Sequence, residues 1–319
     1  MTDHNTILQV RNLKKYFKVG AGLLHAVDDV SFSIERGTTL GIVGESGCGK
    51  STLGRTILRL VEPTSGDIIF EGKNITHVNR RAMKQLRKEM QLIFQDPFSS
   101  LNPRISISCA IDEALVLTGR YKDADERFAK ILDLMGSVGL DERLANAYPH
   151  ELDGGCRQRV GIARALAMEP KFIVCDEPVS ALDVSIQAQI LNILRQLKKD
   201  HNLTYIFITH DLSVVNYISD AIAVMYLGRV IEMAKTEELF ANPLHPYTNA
   251  LLSALPIPSI HNRKERILIR GEITSPINPK PCCRFAQRCD YCTQECLEKE
   301  PPLVDLGNGH MVACNRVGK

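Results

Sequence analysis

The stretch Gly44-Glu45-Ser46-Gly47-Cys48-Gly49-Lys50-Ser51 matches G-x-x-x-x-G-K-[ST], follows the apolar run Leu40–Val43 and precedes a helical pattern. Glycines at this spacing let backbone N–H groups turn inward around phosphate oxygens, and the helix start behind them adds positive partial charge. Lys50 is placed to reach β- and γ-phosphates, and the Ser51 hydroxyl to bind Mg²⁺. The chemistry predicted is the binding of a nucleoside triphosphate with its magnesium. A second group is Lys171-Phe172-Ile173-Val174-Cys175-Asp176-Glu177-Pro178, an apolar run ending in two carboxylates. Asp176 at a strand end suits Mg²⁺, and Glu177 one residue on suits a general base acting on water. Taken alone, two acids at a strand end read equally well as a solvated terminus. Behind a phosphate loop they read as hydrolytic machinery.

Two further residues gain weight only from that company. His210 closes the apolar run Tyr205–Thr209, where it can contact a γ-phosphate or orient water. Gln95 follows Met90–Phe94 and precedes Asp96-Pro97, where it can sense Mg²⁺ or the attacking water. In isolation each would be an ordinary polar strand end.

The elements that must hold these groups are legible in outline. Apolar runs bounded by Gly alternate with helical patterns, which predicts a largely parallel sheet flanked by helices. Strands are expected at Thr39–Val43, Met90–Phe94, Phe172–Asp176, Thr204–Thr209 and Ile222–Tyr226, and helices at Lys50–Leu60, Asp125–Val138, Arg157–Met168 and Ser185–Leu197. From Pro97 to about Met168 the pattern is helical without a convincing strand, so a helical subdomain is expected there. Pro256 and Pro258 mark a boundary between residues 1–255 and an extension, 256–319, rich in Pro and Cys.

Composition narrows the class. Of 319 residues, 44% are hydrophobic and 24% charged, enough apolar surface to offset the entropy of ordering. No apolar stretch reaches the roughly 18–20 residues that span a bilayer, and the start, MTDHNTILQV, lacks a secretion signal. The expectation is a protein that is soluble or held at a membrane by partners, in a reducing compartment. Net charge is +2, from 39 basic and 37 acidic residues, so the whole chain is no polyanion binder. Two basic clusters, one from Arg11 to Lys18 and one from Arg80 to Lys88, lack interleaved stacking aromatics and read as solvated faces or as surfaces toward anionic lipid.

With these residues in hand, the chain resembles the nucleotide-binding subunits of ABC transporters, most closely those of the oligopeptide, dipeptide and nickel importers. The phosphate loop, Gln95, Leu152-Asp153-Gly154-Gly155-Cys156, Asp176-Glu177, Ser180-Ala181-Leu182-Asp183 and His210 stand in the family's order over about residues 5–255. Gln95-Asp96-Pro97-Phe98-Ser99-Ser100-Leu101-Asn102-Pro103, His245-Pro246-Tyr247-Thr248 and the cysteine-rich tail suggest the importer branch. The implied fold is an ABC-type P-loop α/β domain: a mainly parallel sheet core, an antiparallel β part, a helical subdomain and a small Cys-rich extension. The resemblance implies an ATP-binding set of Phe17 (or Tyr16) against adenine, then Gly44, Glu45, Ser46, Gly47, Cys48, Gly49, Lys50, Ser51 and Thr52. Asp153, Gly154, Gly155 and Asp183 are implied to face the partner's nucleotide. Glu177, His210 and Gln95 are implied to be catalytic, with Ser51, Gln95 and Asp176 around Mg²⁺.

It further implies a head-to-tail dimer with a second ATPase subunit, two membrane-spanning permease subunits, an external solute-binding protein, and a peripheral place on the cytoplasmic side of the cell membrane. No nucleic acid is expected. The function implied is ATP hydrolysis that powers peptide import. Import of nickel or another small solute, a soluble ABC ATPase acting on nucleic acid or ribosomes, and an ATP-holding subunit without useful turnover are the alternatives. The sequence departs from the family at the signature, where Asp153 and Cys156 replace the usual Ser and Gln. A carboxylate there has no donor for a γ-phosphate, and two unit charges about 4 Å apart repel by roughly 4 kcal/mol at an effective dielectric constant near 20. Unequal sites in a heterodimer are the expectation. Of ten cysteines, six lie after residue 280, and Cys283, Cys289, Cys296 and Cys314 resemble the importer tail associated with a [4Fe–4S] cluster. Four thiolates suit a cluster or Zn²⁺, Cys289 and Cys292 form a C-x-x-C pair, and plain reduced thiols are the third reading.

Overall fold

A computed structural model describes residues 5–96, 100–255, 267–271 and 275–317. The chain divides into two compact units, one from residues 1–34, 39–76 and 209–319, the other from 35–38 and 77–208. The first unit opens with two long strands, β1 (Thr6–Val19) and β2 (Gly22–Glu35), then β3 (Thr39–Val43), α1 (Lys50–Ile57), β4 (Ser65–Phe70) and the short β5 (Lys73–Asn74). One sheet runs β2-β1-β4-β5. Leu8 lies opposite Phe70 and Val10 opposite Ile68, and the register shifts between Arg11 and Lys14. These strands carry polar and apolar residues in a mixed pattern, which is why only the resemblance, and not the periodicity, foretold an antiparallel part.

In the same unit β3 runs parallel to β9 (Ala221–Tyr226), with Leu40 opposite Ala221 and Val43 opposite Val224. All five β3 residues are buried, as expected of a strand covered on both faces. β10 (Arg229–Lys235) pairs antiparallel with β9, and the extension adds β12 (Met311–Val312) to β10 and β11 (Val304–Asp305) to β12. Residues 276–278 also lie antiparallel along β2, with His25 N–H donating to Pro276 O and Asn278 N–H to Leu23 O. One apolar core joins Val43, Val215, Ile222, Val224, Tyr226, Tyr247 and Phe285. The tail's Phe285 is therefore packed into the core that contains the strand leading to the phosphate loop.

The second unit holds three parallel strands in the order β8-β7-β6: β6 (Met90–Ile93), β7 (Phe172–Asp176) and β8 (Thr204–Ile208). Its helices are α2 (Arg80–Glu89), α3 (Ile107–Thr118), α4 (Ala124–Ser137), α5 (Gly154–Leu166) and α6 (Val184–His201). Their starts are set by short polar side chains: Asn79 caps α2, Ser106 caps α3 and Asp123 caps α4, each accepting backbone N–H bonds. Between residues 100 and 168 the described residues form helices and turns and no strand. The expected α/β fold class with a parallel sheet core is the one found. Pro97-Phe98-Ser99 and the boundary at Pro256 and Pro258 lie outside the described residues. Among the described residues no helix is long and apolar enough to cross a membrane.

Candidate active site

In the first unit, β3 delivers the chain into the phosphate loop and α1 begins at Lys50. The N-cap of α1 is Gly49, at φ 107° and with no side-chain cap bond. A side chain is excluded there, because a Cβ on Gly49 would meet Ala26 O at 2.0 Å. The loop is fixed by backbone bonds instead: Gly228 N–H donates to Cys48 O and Asp28 N–H to Gly228 O, each at 2.8 Å. A helix start without a side-chain cap keeps its first-turn N–H groups for an anion. Lys50 is 4% exposed, and its ammonium donates to Gly44 O at 2.8 Å and Glu45 O at 3.0 Å, which holds the charge over the loop. Ser51 and Thr52 follow, both half-buried, in the first turn of α1. Burial pushes the Cys48 thiol up, so Cys48 sits in the loop as a neutral packing group.

Two aromatics stand side by side on β1 and differ in what holds them. Tyr16 stacks on His25 with ring centroids 3.9 Å apart, and its hydroxyl donates to Asp28 at 2.5 Å. Phe17 is half-exposed, with the Lys15 ammonium over its ring. Thr209 N–H donates to Ile42 O at 3.2 Å, so exposed His210 follows directly beside the strand that feeds the phosphate loop.

The second unit gathers the remaining candidates. Asp176, 1% exposed, closes β7. Glu177 adopts φ 48°, a left-handed conformation that costs roughly 1–2 kcal/mol for a residue with a side chain. Its N–H still reaches Ile208 O at 2.9 Å, and its carboxylate accepts a 3.0 Å hydrogen bond from the Gln95 amide. Thus β6 and β7 bring Gln95 and Glu177 together. Gln187 of α6 donates to Val179 O and Leu182 O, which shapes the turn before Asp183, the exposed residue that precedes α6. Gly155 packs against α6 so closely that a Cβ would meet Ile186 Cγ2 at 2.7 Å. Asp153 is the N-cap of α5, and its carboxylate accepts from Cys156 N–H at 2.7 Å. Burial and the neighbouring Asp153 carboxylate raise the Cys156 thiol.

Sequence reasoning gave Tyr247 and Arg288 no role, yet both touch the phosphate loop. Tyr247 OH accepts from Glu45 N–H at 3.0 Å, and Arg288 pairs with the Glu45 carboxylate at 2.9 Å. The only signal was His245-Pro246-Tyr247-Thr248, which looked like a branch marker. For Arg288, 243 residues from Glu45 along the chain, there was none.

The expected metal site of the tail is not supported. All ten cysteines are free, and among the described residues no group of three or more His, Cys, Asp or Glu is arranged to hold a metal ion. Burial, with the neighbouring thiols of Cys296, Cys289 and Cys314, pushes the Cys283 thiol up to about 12, and burial also raises Cys289 and Cys314. Only Cys296 is lowered: burial acts against it, but hydrogen bonds from Thr293 and Asn315 outweigh that effect. An iron–sulfur cluster or Zn²⁺ at Cys283, Cys289, Cys296 and Cys314 is therefore not supported among the described residues, and Cys292 N–H donates to Cys289 O at 3.2 Å.

Comparison with known proteins agrees with this geometry. The ABC transporter family profile matches residues 27–180, and that of the oligopeptide/dipeptide transporter C-terminal region matches residues 231–296. The chain is 49% identical over 323 residues to the oligopeptide transport ATP-binding protein AppF of Bacillus subtilis (strain 168), covering 98% of each. It is 46% identical over 318 residues to the dipeptide transport ATP-binding protein DppF of Haemophilus influenzae, covering 98% of this chain and 97% of that protein. Among solved structures, a dimeric post-hydrolysis state of the ATP-binding cassette MJ0796 bound to ADP and Pi superposes with a TM-score of 0.65 at 29% identity, covering 72% of this chain and 99% of that one.

Proposed function

The chain belongs to the ABC transporter family, and on that premise we propose that it is the ATP-hydrolysing subunit that powers peptide import through a membrane transporter. The observation that carries the hydrolytic part is Gln95 donating to Glu177 at 3.0 Å, just past the buried Asp176. The peptide part is supported by the match to the oligopeptide/dipeptide transporter C-terminal region.

The residues divide the work by their chemistry. Lys50 and the N–H groups at the start of α1 hold the β- and γ-phosphates. Phe17 stacks on adenine. The Ser51 hydroxyl and Asp176 carboxylate are hard oxygen donors and fit Mg²⁺, which when bound offsets phosphate charge. Glu177 takes a proton from the attacking water, Gln95 fixes the Glu177 carboxylate, and His210 contacts the γ-phosphate or orients that water. Asp153, Gly154, Gly155 and Asp183 face the nucleotide of a second ATPase subunit.

Because Asp153 is an acceptor already spent on its own helix, the site it completes is the weaker one of an unequal pair. The subunit works with two membrane-spanning permease subunits and an external solute-binding protein, as a peripheral protein on the cytoplasmic face. Residues 1–255 form the nucleotide-binding domain and 256–319 its extension.

The test is Glu177→Gln in the complete transporter in vesicles. ATP turnover should fall by about a hundredfold or more while MgATP binding and assembly persist, and peptide uptake should stop. Turnover retained within a few-fold overturns the assignment.

A further inference from the structure

The phosphate loop of this chain is held from outside as well as from within. Glu45 is gripped at three atoms by the C-terminal part of the chain: its N–H donates to Tyr247 OH at 3.0 Å, and its two carboxylate oxygens pair with Arg288 Nη1 at 2.9 and 3.2 Å. The same Arg288 nitrogen donates to Tyr226 OH at 3.3 Å, and the Arg288 side chain is 8% exposed. Arg288 is rigidly seated, because it ends the short 3₁₀ turn Ala286–Arg288 directly behind Phe285. Phe285 packs against Tyr226 and Tyr247 with centroids 5.4 and 5.5 Å away. One turn earlier, Arg284 donates to Asp28 at 2.5 Å and to Leu227 O at 3.2 Å. Asp28 in turn holds the hydroxyl of Tyr16, the neighbour of Phe17 on β1.

We propose that Arg288, assisted by Tyr247, is a positioning residue for ATP binding, setting the phosphate loop through Glu45 so that the cysteine-rich extension determines nucleotide affinity. The inference rests on the ATP reading above. Its physical basis is the position of Glu45, whose carbonyl, with that of Gly44, also accepts from the Lys50 ammonium. A shift of Glu45 therefore moves the group that faces the β- and γ-phosphates. A partly buried arginine–carboxylate pair fixes direction as well as distance, and breaking it leaves a charge without its partner.

The experiment is MgATP titration of the full-length chain, with MgATP KM and kcat in the assembled transporter. Arg288→Ala should weaken binding about tenfold and raise KM with kcat kept within twofold. Glu45→Gln, which breaks the pair from the loop side, should weaken MgATP binding to the same extent, and the double variant should be no worse than either single one. Arg288→Lys should recover most of the affinity, and Tyr247→Phe should lose about threefold. Affinities within twofold of the unmodified chain for both Arg288→Ala and Glu45→Gln overturn the inference, as do additive losses in the double variant. Failure of the unmodified chain to bind MgATP overturns the ATP reading itself, and the inference with it.

Discussion

Two helix starts in this molecule offer the positive end of a helix and differ at the N-cap, which is a left-handed Gly49 at α1 and an extended Asp153 at α5. At α1 the N-cap is Gly49, which has no side chain to cap the first-turn N–H groups. At α5 the N-cap is Asp153, whose carboxylate takes the Cys156 N–H at 2.7 Å and places a negative charge where an anion would bind. The positive end of a helix favours any nearby negative charge, whether a ligand's or its own cap's. A helix start therefore becomes a phosphate site when its own chain declines to fill it. The departure from the family's signature marks Asp153 in the sequence, and the structure adds that its carboxylate is bonded to its own helix.

The largest effect is expected from Lys50→Ala, which removes the buried ammonium from the phosphate loop. MgATP affinity, read by titration, should fall about a hundredfold, a loss in keeping with a charge-assisted contact. Next is the support behind that loop. His245 is buried, accepts Tyr247 N–H at 3.1 Å on Nδ1, and is pushed by burial down to about 3. Its folded pKa lies below the unfolded value near 6.5, so the unfolded chain binds the extra proton. The neutral ring's contribution is complete above pH 6.5 and is lost as pH falls toward 3. Stability should drop by about 3 kcal/mol between pH 7 and pH 4 in excess of a His245→Gln variant, read from unfolding midpoints in denaturant.

The smallest effect, and the most discriminating, is Asp153→Ser. A serine keeps the cap of α5 and removes the charge. Stability should change by less than about 1 kcal/mol, and ATP turnover of the complete transporter should rise severalfold. Unchanged turnover would mean that Asp153 is turned away from the partner's nucleotide, and the unequal-site reading would fall.

Local chemistry made much of this protein readable before any coordinates. β3, β7 and β9 are strands of apolar residues buried on both faces, and such runs keep their identity in any packing, so their positions were legible to within a residue. The phosphate loop was equally plain, because glycine spacing and a lysine are dictated by the ligand's own geometry. Less legible were β1, β2 and β4, whose mixed pattern reflects a sheet with residues of every burial class. The tail was least legible: cysteine spacing left a cluster, zinc and plain reduced thiols open, and spacing along a chain does not fix where thiols point.

The sequence by itself determined the fold class, the family and the identity of the groups suited to bind and split ATP, since those rest on residue types at short separations. Only tertiary structure decided that Tyr16 is tied to His25 and Asp28, that Gln95 meets Glu177, that Asp153 is spent on its own helix, and that Arg288 reaches Glu45 from 243 residues away. The physical reason is range. Propensity, periodicity and motif spacing act within a turn or a strand, whereas a hydrogen bond between distant segments exists only after the core that joins them, here Val43, Tyr226, Tyr247 and Phe285, has packed.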